Sequence, residues 1–113
     1  MNELSDPAIT AALGRHLTNA VARQAAAASN LANLDTPGYR TREASFAETL
    51  DGELGPPAGM REVAGLPARR DGNNVQLDRE LLALNRAGGD FSAAQTALAA
   101  KFRLVRYAIN EGR

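Results

Sequence analysis

Apolar residues recur along two stretches of the chain at alternating spacings of four and three, the rhythm of helices that pack lengthwise. Leu13, Leu17, Ala20, Gln24, Ala27, Leu31 and Leu34 form the first stripe, with Ile9 one turn ahead. Asp6–Pro7 reads as an N-cap and first helical position, since Pro lacks the amide that would be orphaned there. The pattern predicts a helix over about residues 7–33, roughly 40 Å long, which is longer than one small core can cover.

The second stripe is longer: Leu77, Leu81, Leu84, Gly88, Phe91, Gln95, Leu98, Phe102, Val105 and Ile109. It predicts a helix over about 77–109, with Asp78 and Glu80 near its N-terminal pole. Lys101, Arg103, Arg106 and Arg113 lie near the C-terminal pole, where cations favour the helix dipole. Gly88–Gly89 marks a kink or a break with a new cap at Asp90, because each interior glycine costs about 1 kcal/mol of helix propensity.

Residues 51–73 hold five of the ten glycines and three of the five prolines, a loop or linker composition. In 40–50 only Phe46 and Leu50 can anchor onto the helices. The sequence therefore predicts an all-α chain, a single domain over 1–113. Two heptad helices form a coiled-coil-like pair, with a turn at 34–40 and an extended or disordered Gly/Pro-rich middle at 41–74.

Composition sharpens this picture. Alanine supplies 23 of the apolar residues, and Leu, Ile, Val and Phe together also number only 23 of 113. A chain so poor in large apolar side chains relies on neighbours for stability. Thirteen basic and thirteen acidic residues give no net charge, which argues against a dedicated nucleic-acid binder. There is no cysteine and one histidine, His16, so thiolate chemistry and a paired imidazole metal site are excluded. No catalytic, metal or cofactor-binding residues are assigned. Scattered carboxylates lack the paired spacing of general acid–base work, and the glycines lack a phosphate-binding pattern. No apolar run reaches membrane-spanning length, and no basic n-region marks a Sec signal, so function outside the cytoplasm would require another export route. Arg69–Arg70 reads as a loop pair beside Asp71. Gln24 and Gln95 are polar seam positions of the kind that fix register and partner number.

The most specific stretch runs from Ala28 to Arg40. Asn30 and Asn33 share a helix face, where their amides can serve an adjacent backbone or a neighbouring subunit. Pro37 drives Thr36 out of the helical region, and Pro37–Gly38 suits the centre of a type II turn with Gly38 at positive φ. The chain then leaves the helix at a defined angle.

Asn30, Leu31, Ala32, Asn33, Thr36, Pro37, Gly38 and Tyr39 resemble the N-terminal signature of bacterial flagellar axial proteins, the rod, hook and hook-associated subunits. Segments 39–50, 72–80 and 101–106 are similar to the short proximal-rod branch of that family. The resemblance implies a non-enzymatic structural subunit of the flagellar basal body, in the rod within the periplasmic space. It implies export by the flagellar type III apparatus without a Sec signal and self-assembly through both helices. The implied partners are other copies of the chain, rod protein C, a rod adaptor subunit, the MS-ring and the export apparatus. The competing reading is a cytosolic helical-hairpin adaptor or chaperone that presents an apolar groove to a client.

Overall fold

A computed structural model describes residues 7–48, 52 and 54–111. Asp6, the expected cap, Leu50, an expected anchor, and Arg113 lie outside these residues. In chain order the elements are helix α1 (Pro7–Ala32), strands β1 (Arg42–Glu48) and β2 (Leu54–Glu62), and helix α2 (Leu77–Glu111).

The two helices run antiparallel. Thr10 meets Lys101 through a side-chain hydrogen bond, Arg23 pairs with Asp90 at 3.0 Å, and Asn30 meets Glu80 at 3.0 Å. The molecule is correspondingly long and thin, 69 × 27 × 15 Å. α2 passes through Gly88–Gly89 as one helix, with no break or new cap at Asp90. A Cβ at Gly88 would make an ordinary contact, 3.4 Å, with the Gln24 amide nitrogen, so Gly88 lies on the side of α2 that faces α1.

The all-α expectation with a disordered middle is wrong. Residues 42–62 form a two-stranded antiparallel ribbon, which makes the arrangement α+β. Arg42 pairs with Glu62, Glu43 with Arg61 and Ala44 with Met60, and the register then slips at Ser45/Phe46 and again before Glu48. Pro56 and Pro57 read as loop formers because they cannot donate to a ladder. In a two-stranded ribbon each strand has one unpaired edge, and prolines are tolerated there and beside bulges. Cross-strand charge adds support: Arg61 Nε donates to Glu43 Oε1 at 2.8 Å, and Arg40 Nε donates to Glu62 Oε1 at 2.9 Å. Ala44 is the buried member of β1.

The core is narrow. Among the described residues its buried apolar members are Ala20, Ala26, Ala27, Ala44, Ala87 and Ala94, with Val75 the only larger one. The other large, fully buried side chains are polar: Glu80, Asn30, Asn73, Asn74 and Thr41. Alanine permits close backbone approach but removes little apolar area from water, so hydrogen bonds decide the geometry at the end of α1 where these polar groups gather.

Candidate functional site

At the end of α1, Asn33 Nδ2 donates back to the Ser29 carbonyl at 2.8 Å, and Thr36 Oγ1 donates to Asn33 Oδ1 at 3.0 Å. Tyr39 N donates to the Thr36 carbonyl at 3.2 Å, closing a four-residue turn around Pro37 and Gly38. Gly38 sits at φ 75°, the left-handed conformation that Pro37–Gly38 requires for a type II turn.

The turn is locked by a segment about 40 residues further along the chain. Gly38 N donates to the Asp71 carbonyl at 2.8 Å. Asn73 Nδ2 reaches three carbonyls, those of Asn33, Leu34 and Thr36, at 2.9, 3.1 and 2.8 Å. Arg69 donates to the Leu34 carbonyl and, at 2.9 Å, to that of Val75. The carbonyls exposed where a helix stops need partners, and here Asn73 and Arg69 supply them. Asn73 is held in turn: its Oδ1 accepts from Val75 N at 2.8 Å, and its own N–H donates to Asp71 Oδ1 at 2.9 Å. Gly72, at φ 85°, abuts the turn so closely that a Cβ there would lie 3.4 Å from Gly38 Cα.

Asn30 links three elements. Its Nδ2 donates to the Arg42 carbonyl at 2.7 Å and to Glu80 Oε2 at 3.0 Å. Its Oδ1 accepts from Tyr39 Oη and Arg42 N, both at 3.1 Å. Two donors and two acceptor bonds use its full capacity, so this amide is spent within the chain and none is left for a neighbouring subunit. Glu80 is buried on the first turn of α2 and pairs with Arg79 at 2.5 Å. Asn74 completes the junction, accepting from Thr41 N at 2.6 Å and donating its own N–H to the Tyr39 carbonyl at 3.2 Å.

These bonds form a clamp that fixes the end of α1, the start of β1 and the start of α2 relative to one another. Residues 14–40, from the second turn of α1 through the clamp's turn, match the family model described as flagella basal body rod protein. The match covers about a quarter of the chain, and over that stretch the chain is similar to the flagellar basal-body rod family. No curated protein matches the chain. No described helix is long and apolar enough to cross a membrane.

The turn residues Asn33, Thr36, Pro37, Gly38 and Tyr39, all within the matched stretch, lie together with Asn30 in the clamp, whereas Leu31 is half-buried on α1. Leu13, Leu17 and Gln24 are also half-buried along α1. On α2 the stripe divides. Leu84, Phe91, Leu98 and Val105 are half-buried, whereas Leu77, Leu81, Gln95, Phe102 and Ile109 are exposed. The positions buried on α2 are instead Glu80, Ala87 and Ala94, seven residues apart. Asn30–Glu80 and Arg23–Asp90 turn this alanine edge toward α1, and the larger apolar edge faces outward. Leu82, Leu104 and Tyr107 widen that outer surface.

The sequence gives Asn73 no role, reads Arg69 only as half of a basic loop pair, and gives Glu80 only a place near the N-terminal pole of α2 rather than a buried bond to α1. Arg69 reads as a basic loop pair because its partners are main-chain carbonyls, which leave no residue pattern. The one local signal is the Gly72–Asn73–Asn74 run ahead of α2, where two amides precede a helix start.

Proposed function

We propose that this chain is a structural subunit of the proximal rod of the bacterial flagellar basal body, of the rod protein B type. It passes torque from the MS-ring and export-gate region to the distal rod. The observation that carries the reading is the rod-family turn built as a rigid clamp on a molecule whose larger apolar edge is unsatisfied. Phe102, Leu104, Tyr107 and Ile109 are each more than half exposed over the last turns of α2. Exposed apolar area of this kind favours burial against other subunits. The clamp sets the angle between helices and ribbon, so each copy presents the same faces to its neighbours.

On this reading the chain travels through the flagellar type III export apparatus without a Sec signal. It assembles in the periplasmic space with further copies, rod protein C, a rod adaptor subunit and the MS-ring. The test is location. An epitope-tagged chain expressed at native level co-purifies with detergent-extracted basal bodies and survives removal of the outer hook and filament. Recovery only in the cytoplasmic fraction, bound to a client, would instead establish the adaptor reading.

A further inference from the structure

Between the ribbon, the middle of α1 and the start of α2 lies a cleft of about 350 Å³. Its floor is apolar, made of the buried Ala26 and Ala27 of α1 and Ala44 of β1, and Phe46 also borders it. Five arginines line it against two carboxylates, Glu43 and Glu80, and both carboxylates are already engaged. Arg61 Nε donates to Glu43 at 2.8 Å, Arg79 pairs with Glu80 at 2.5 Å, and Arg23 pairs with Asp90 at 3.0 Å. That leaves Arg42 and Arg86, two exposed residues whose guanidinium groups have no hydrogen-bond or ion-pair partner among the described residues. A chain with no net charge therefore holds two uncompensated cations at one cleft.

These two cations stand on different elements of a fixed frame. Arg42 opens β1, and Asn30 holds its main chain, accepting from Arg42 N at 3.1 Å and donating to the Arg42 carbonyl at 2.7 Å. Arg86 lies on α2 after Glu80, whose bond to the same Asn30 sets the rotation of that helix. One buried amide thus positions the backbone on both sides of the alanine floor, so the frame exists before anything binds. The planar guanidinium fork matches a carboxylate, and the apolar floor between the two arginines matches an apolar side chain. A ligand complementary to all three carries carboxylates on either side of an apolar group. A long polyanion is a poorer match, because beyond the cleft a chain with no net charge offers it no basic surplus.

We propose that this cleft docks a short acidic segment of a partner protein, one in which carboxylates alternate with apolar side chains. The carboxylates meet Arg42 and Arg86, and an apolar side chain lies over the alanines beside Phe46. The cleft is a separate surface from the outward apolar edge of α2, since Arg86 and Phe102 are about 24 Å apart along the helix axis. The two surfaces can therefore be filled independently, and the proposal does not depend on the rod reading.

The test uses the full-length chain and a short labelled peptide that alternates glutamate with leucine, followed by fluorescence anisotropy. The peptide binds, binding weakens as salt rises, and a peptide with glutamine in place of glutamate does not bind. Arg42→Gln with Arg86→Gln lowers affinity about tenfold, the combined loss of two exposed charge pairs, and leaves the circular dichroism unchanged. Arg103→Gln with Arg106→Gln, which removes two exposed cations from the far end of α2, leaves affinity unchanged. Inorganic phosphate competes no better than chloride at equal ionic strength. Absence of binding, equal binding of the glutamine peptide, or an equal loss from the Arg103 and Arg106 substitutions would overturn the proposal. So would displacement by phosphate alone, which would make the cleft a site for a free oxyanion. Binding that appears only after Glu48→Gln, Asp51→Asn and Glu53→Gln would identify the chain's own acids as the occupant and overturn it. Arginine-dependent self-association in the ultracentrifuge without peptide binding would identify a second copy and overturn it as well.

Discussion

Asn30 and Glu80, fifty positions apart, meet in a buried hydrogen bond of 3.0 Å that ties the last full turn of α1 to the first turn of α2. Each is about 1% exposed. A buried carboxylate needs partners that offset its desolvation, and Glu80 has the Asn30 amide and the Arg79 guanidinium. The bond therefore fixes both the distance between the helices and the rotation of α2, which determines the apolar edge that faces out.

Asn30→Asp replaces the donor with a second carboxylate against Glu80. Uncompensated buried charge costs about 3 to 5 kcal/mol, so thermal unfolding followed by circular dichroism shifts sharply downward. Adding Glu80→Gln to this variant restores part of the loss, because a Gln amide can donate to the new Asp. An Asn30→Asp chain with wild-type melting would show that the bond does not hold the helices.

Gly38 and Gly72 both adopt left-handed backbone, and a Cβ at Gly72 would come into contact with Gly38 Cα at 3.4 Å. Gly38→Val and Gly72→Val each cost at least about 1 to 2 kcal/mol and redirect the chain as it leaves α1. Gly89→Ala is the counter-case. It lies within α2 with open space around it, so it raises stability by about 0.5 to 1 kcal/mol. Chemical denaturation of the three variants checks the order.

Asn73→Ala removes the amide shared by three carbonyls. Buried groups left without a partner cost about 1 to 3 kcal/mol, and the loss is local. Hydrogen exchange therefore accelerates over residues 33–39 and 72–75 before it accelerates in the middle of α1. Uniform acceleration along the chain would mean that the clamp unfolds only with the whole molecule.

The helices are legible in the sequence because apolar residues repeat at helical period over many turns, and that signal is local. The rotation of α2 is not. A reading by residue size places the leucines and phenylalanines fully inward, whereas Ala87 and Ala94 take the buried places, with Leu84, Phe91 and Leu98 only half-buried beside them, because Asn30 and Arg23 on α1 engage Glu80 and Asp90. The ribbon escapes detection for another reason: Pro56, Pro57 and the neighbouring glycines signal loop, while its support comes from cross-strand ion pairs and from packing against α1. At the candidate site, the Asn30–Tyr39 motif and the Gly72–Glu80 segment are each visible alone. Their interlock is carried by side chains bonding to carbonyls some 40 residues away, which no spacing rule encodes.

The outward apolar edge of α2 is the proposed assembly surface. Phe102 is 57% exposed, so Phe102→Asp changes the stability of the isolated chain by less than about 0.5 kcal/mol. In an assembled rod the same carboxylate would be buried without a partner, at a cost of several kcal/mol. The deciding measurement compares the variant in the flagellar export fraction and in purified basal bodies. Wild-type amounts are expected in the first and none in the second; Phe102→Asp chains in basal bodies at wild-type levels would show that this edge is not an assembly surface.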